Sequence, residues 1–179
     1  MTGNFSLRKG VLMRKDIINK LTDLSDLVGT CGKYGSLQCD GDGLIALYNA
    51  TRFTHPEITL EELNQVCIKK HAMWFGGIGW FKMFKIKRVL KTFGIKVKFK
   101  GLFHSYNQLT NSYKFILVYW QKGKLFEYSG DLKYQAGSLV RDKKNNIWLE
   151  LYNPIHHYDS IKQFMNFEEA TMPFLFTID

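Results

Sequence analysis

The sequence predicts an α+β domain, with a helical N-terminal half and an antiparallel β half after it. Three observations carry this. Apolar residues recur at helical spacing to about residue 93, they alternate with period two from Ile95, and clusters of Gly, Pro and Asn separate the runs. Helices first and strands last, without an alternating βα rhythm, read as α+β rather than α/β. With 179 residues, of which 45% are hydrophobic and 15% aromatic, the chain has enough apolar material for one proper core.

Residues 1–30 read as an N-terminal helical extension, in which Ile17, Ile18, Leu21, Leu24 and Leu27 share a face. Residues 31–179 form the main domain. Its first stretch, to residue 41, is glycine-rich and turn-forming. A helix is expected from Asp42 to about Phe53, with Pro56 in the linker after it. Thr59-Leu60-Glu61-Glu62 has the capping-box pattern, so a second helix begins there and turns Leu60, Leu63, Val66 and Cys67 to one side. A loop at 73–79 precedes a helix expected from about Trp80 to Phe93, with Phe81, Phe84, Val89, Leu90 and Phe93 inward and Gly94 closing it. Strands follow at Ile95–Lys100, Phe115–Trp120, Leu125–Tyr128, Ile147–Tyr152 and Pro173–Ile178. Turns fall at Gln121–Lys124 and Lys143–Asn146, and a short helix capped by Asp159 or Ser160 runs to about Met165.

Charge is distributed unevenly. The net charge is +9, and no acidic residue stands between Glu62 and Glu127. Lys82, Lys85, Arg88, Lys91, Lys96, Lys98 and Lys100 make a basic patch, which reads either as a positive field toward an acidic protein, nucleic acid or an anionic lipid surface or as a plain solvated face. No RRM, KH, zinc-finger or helix-turn-helix signature accompanies it, so any nucleic-acid binding is expected to be non-specific. Three cysteines without metal-ligand spacing imply neither a disulfide framework nor a zinc site, and no metal or cofactor is expected. The Asp40-Gly41-Asp42-Gly43 run lacks the further oxygen ligands of a calcium loop, and His156-His157 reads as a surface turn. The sequence shows neither a signal-peptide h-region nor an apolar run long enough to span a bilayer, so a cytoplasmic or virion-associated protein is expected.

The segment Asp42-Gly43-Leu44-Ile45-Ala46-Leu47-Tyr48-Asn49-Ala50 resembles the active-site helix of papain-like cysteine peptidases of the bacteriocin-processing, C39-like kind. Their usual reading is Cys-Gly-Pro-x-Ala-Leu-x-Asn-Ala. The resemblance extends in element order over roughly residues 36–167. It implies a papain-like fold, with a helical half carrying the active-site-equivalent helix and an antiparallel β half.

What the resemblance implies for the site is a degenerate triad. Such enzymes place a thiolate at a helix N-terminus beside an imidazolium, because both lower the thiol pKa. Asp42 stands where the nucleophile belongs, Lys114 at the histidine position opening a strand, and Asn153, in Leu151-Tyr152-Asn153-Pro154, at the orienting position. Gln38 is the candidate oxyanion residue. An aspartate cannot act as a thiolate, so a pseudo-peptidase is implied, with Asp42 and Lys114 keeping the charge pair. Asp42 is also expected to serve as the helix N-cap.

Three functions compete. The first is a catalytically inactive C39-like module that binds a protein or peptide, an accessory or structural part of a phage or other mobile element. The second is an active cysteine peptidase or amidase using Cys39 as nucleophile and His104 as base. The third is a non-specific nucleic-acid-associated basic protein. Oligomeric state has no sequence signal here.

Overall fold

The computed structural model describes residues 30–36, 41–52, 54–77, 81–109, 114–122, 130–141, 144, 146–152 and 155–179. The expected N-terminal helix and the expected strand at Leu125–Tyr128 lie outside them.

Alternation along one strand organises the fold. Phe115, Leu117 and Tyr119 point to one side of a sheet and Ile116 and Val118 to the other, and all five are at most 1% exposed. A strand apolar on both faces must be covered twice. It is β4 (Lys114–Lys122), at the interior of a six-stranded sheet that also contains β3 (Val97–Leu102), β5 (Gly130–Arg141), β6 (Ile147–Tyr152), β7 (His156–Tyr158) and β8 (Ala170–Ile178). The order is β3-β8-β4-β5-β6-β7 and every pairing is antiparallel. A separate two-stranded hairpin joins β1 (Thr30–Cys31) to β2 (Gly35–Ser36).

Three helices cover the Ile116 face: α1 (Asp42–Thr51), α2 (Leu60–Lys69) and α3 (Ile86–Lys91). Leu44, Leu47, Leu63, Cys67, Ile86, Val89 and Leu90 pack there with Tyr134, Tyr152 and Phe176 from the sheet. The Phe115 face is covered by α4 (Ile161–Phe167) and by a 3-10 turn at Tyr106–Leu109, through Phe164 and Leu109. The result is an α+β arrangement in three layers.

α1 is buried nearly all round, from Gly43 to Leu47 and at Asn49, Ala50 and Thr51. That is the pattern of a helix enclosed by other elements rather than laid on a surface. Gly43 is where Phe81 crosses it: a Cβ at this position would lie 2.3 Å from the Phe81 Cβ. Met73 and Phe81 form an isolated antiparallel bridge, and the Tyr134 hydroxyl donates to the Phe81 carbonyl, so the chain is pinned where it passes over α1.

The capping box forms as expected, with Thr59 Oγ1 accepting from Glu62 N at 3.1 Å and Glu62 Oε2 accepting from Thr59 N at 2.8 Å. Those bonds hold the Glu62 carboxyl below its usual value. Ser160 caps α4 by accepting from Gln163 N at 3.0 Å. The helix expected over residues 80–93 is much shorter. Its first part is a 3-10 turn at Met83–Lys85, and α3 starts only at Ile86. Phe84, expected to face inward, is 73% exposed. His156 and His157, expected in a turn, belong to the edge strand β7.

Candidate functional site at the start of α1

Gly41 is the N-cap of α1 and no side chain caps it, so Asp42 is the first helical residue rather than the cap expected from sequence. A carboxylate in the first turn still faces the positive end of the helix dipole. Asp42 Oδ2 lies 3.1 Å from Lys133 Nζ, and Lys133 is also 4.0 Å from Asp131 on its own strand. The Asp42 side chain is 24% exposed and that of Lys133 33%. β5 pairs with β6 only from Ala136 onward, so Lys133 sits on the stretch of β5 beyond its neighbour, with room to reach the helix start.

The ion pair expected between Asp42 and Lys114 is therefore replaced by one with Lys133. The register explains why. Lys133 lies across from Tyr119, whereas Lys114 lies across from Ser138 and Ile178 at the other end of β4. The two levels are five residues apart along the strand, ~17 Å at the usual rise. Lys114 is half-buried, and desolvation lowers its pKa. Asn153, Gln38 and Cys39 lie outside the described residues.

His104 is exposed on the turn after β3. Its Nδ1 is 3.0 Å from the Leu102 carbonyl, and its main-chain N donates to Gln108 Oε1 at 2.9 Å. Two strands separate β3 from β5, which puts three inter-strand spacings, ~14 Å, between that edge and the strand bearing Lys133. Cys31 and Cys67 are buried, and desolvation, with a smaller contribution from Cys31, raises the Cys67 thiol well above its ordinary value. A thiol so placed is a packing group, not a nucleophile.

Beside the helix start lies a network that the sequence reading missed. The Tyr119 hydroxyl donates to Glu168 Oε2 at 3.3 Å, the Tyr158 hydroxyl donates to Glu168 Oε1, and Gln121 Nε2 donates to the Glu168 carbonyl at 3.1 Å. Burial is the main cause raising both phenol pKa values, reinforced by the Glu168 carboxylate. The Asp42 carboxylate adds a smaller push on Tyr119, so the helix start and this network are within electrostatic reach of each other. Protonated phenols here orient a carboxylate and do not themselves act as bases. The period-two run Leu132, Tyr134, Ala136 was the sequence signal for β5, and with it for Lys133.

His157 Nε2 is 3.2 Å from Glu150 Oε2 across the β6–β7 pairing. Among the described residues no group of three or more His, Cys, Asp or Glu side chains is placed to hold a metal ion.

The basic patch divides. In β3, Val97 and Phe99 lie on the helix-covered face, Phe99 with its ring 5.0 Å from that of Phe176, so pleating sends Lys96 and Lys98 to the opposite face. Lys98 there pairs with Asp179 at 2.6 Å, and Lys100 falls at a register shift between Phe99 and Gly101. Lys82, Lys85, Arg88 and Lys91 stay together on α3 and the chain leading into it.

No protein-family model matches this chain, and no curated protein is detectably similar to it in sequence.

Proposed function

We propose that the chain is a catalytically inactive domain of the papain-like, C39-like kind that works by binding a protein or peptide. The observation that carries this reading is Asp42, held by Lys133 at the first turn of an enclosed helix, at the position where such a peptidase has its thiolate. Two further features support it. The helices α1 to α3 precede the six-stranded antiparallel sheet in chain order, and the two described cysteines are buried. A carboxylate neutralised by an ammonium has no route to covalent catalysis of peptide cleavage at that point.

The test is labelling of the native protein with a thiol-directed active-site probe, mapped by mass spectrometry. Slow labelling at every cysteine is expected, with buried Cys31 and Cys67 modified only on unfolding. Fast, selective modification of Cys39 that is lost on unfolding overturns the proposal in favour of a thiol hydrolase and makes His104 the next residue to replace. In parallel, Asp42→Ala is expected to reduce stability or peptide binding, with no hydrolysis to lose.

A further inference from the structure

The segment from Ala72 to Lys91 is built only from apolar residues, glycine, lysine and arginine. It contains no Ser, Thr, Asn, Gln, Asp or Glu. A folded protein usually hides such a run, and part of this one is hidden: Ala72, Met73, Phe81, Ile86, Val89 and Leu90 are in the core. Three of its aromatic rings face outward. Trp74 is 51% exposed, Phe75 81% and Phe84 73%.

These rings are held near lysines. The Met73–Phe81 bridge brings the two arms of the segment together, and Lys82 N donates to the Ala72 carbonyl at 2.7 Å. Lys82 Nζ lies 4.4 Å from the centre of the Trp74 ring, and the Trp74 and Phe75 rings are 6.4 Å apart. Phe84 follows two residues after Lys82, next to Lys85, and Lys87, Arg88 and Lys91 are exposed on the first helix after it.

We infer that this face docks on an anionic lipid bilayer surface, with Trp74, Phe75 and Phe84 entering the interfacial region and Lys82, Lys85, Lys87, Arg88 and Lys91 over the headgroups. Aromatic rings flanked by cations are the chemistry of interfacial anchoring, where an apolar body enters the acyl boundary and the charges meet acidic lipid. No described helix is long and apolar enough to cross a membrane. Single-stranded nucleic acid is the less favoured occupant. The segment's most exposed groups are apolar rings, which the interfacial region of a bilayer takes in and a phosphate backbone does not. The inference is independent of the peptidase-like reading.

The experiment is co-sedimentation of the full chain with large unilamellar vesicles of phosphatidylcholine alone and with about one third phosphatidylglycerol, a fraction chosen to give a strong surface potential. Binding to the anionic vesicles and little to the neutral ones is expected. Arg88→Ala with Lys91→Ala is expected to lower partitioning roughly five-fold per cation removed. Phe75→Ser with Phe84→Ser is expected to abolish quenching of tryptophan fluorescence by brominated lipid while the thermal midpoint stays unchanged. Both pairs are on the surface, and circular dichroism reports whether either variant is misfolded. The inference is overturned if the protein ignores anionic vesicles or if Phe75→Ser with Phe84→Ser leaves binding intact. It is also overturned if single-stranded DNA binds and the aromatic pair proves irrelevant while the cations matter.

Discussion

Replacing Gly43 by alanine sets two effects of known sign against each other. Alanine favours a helix over glycine by about 1 kcal/mol, so propensity alone predicts stabilisation. The structure predicts the reverse. The new Cβ would lie 2.3 Å from the Phe81 Cβ and 2.8 Å from its Cγ, where carbon atoms ordinarily meet at about 3.5–4.0 Å. More than ~1 Å must be found by moving one chain, and Phe81 is poorly able to give way. It is 3% exposed, its ring meets Tyr134 edge-on at 5.9 Å, and its backbone is held by the Tyr134 hydroxyl and by the bridge to Met73. Overpacking of this kind costs about 1–3 kcal/mol. With Phe81 held, the cost falls at about 2–3 kcal/mol, so after the propensity gain a net loss of roughly 1–2 kcal/mol remains, which lowers the thermal midpoint by about 2–8 °C for a chain of this size. Urea unfolding followed by circular dichroism measures it. A Gly43→Ala protein as stable as the parent, or more so, refutes the reasoning. Gly94→Ala serves as the comparison. No atom lies within 4 Å of its Cβ, but φ is +77°, so its loss comes from backbone strain alone.

Three further outcomes are expected. Alkaline pH should destabilise the fold, because burial raises the phenol pKa values of Tyr119, Tyr134 and Tyr158. Their contribution is intact below an unfolded value of ~10 and is lost above it, by about 1.4 kcal/mol each at pH 11. Cys67, also raised, starts the decline from an unfolded value of ~8.5, while lowered Lys114 acts with the opposite sign over its own window below its unfolded value. Urea midpoints at pH 8 and pH 11 test this, and equal values contradict it. Lys133→Ala should cost no more than about 1 kcal/mol, since both partners of its ion pair are partly exposed, and the loss should vanish in 1 M salt; a larger, salt-insensitive loss would mean that the lysine does more than pair with Asp42. Thr59→Ala should cost about 1 kcal/mol by chemical denaturation through loss of the capping box, and a neutral result would show that α2 does not depend on it.

What could be read ahead of the structure divides by range of interaction. Thr59 and Glu62 are three residues apart, and Ser160 and Gln163 likewise, so the caps are contained in their own segments. Strand β6 also followed from its alternation, ending at Tyr152 as expected. The helix expected from Trp80 did not, although its apolar spacing was helical. Phe81 is taken by the bridge to Met73 across the intervening loop and by Tyr134, 53 positions away, and the helix begins only after that anchor. Phe84 is left outside as a consequence. Strand β5 was concealed because its apolar alternation, Leu132, Tyr134 and Ala136, breaks at Ser138, and its place depends on pairing with β4 on one side and β6 on the other. The candidate site repeats the lesson: Asp42 was legible from the motif, but its partner was not.

The sequence by itself determined the α+β class, the helix beginning at Asp42, the capped second helix and a one-sided excess of positive charge. Each of these is set by spacing and side-chain type within about one or two turns. Only the tertiary structure decided that Asp42 meets Lys133, 91 positions away, and that the basic residues split between two faces. It also decided that Trp74, Phe75 and Phe84 stay in solvent. The physical reason is register. A strand's neighbours and the face each residue takes follow from which hydrogen-bonded ladder it joins, and a shift of one residue would exchange them.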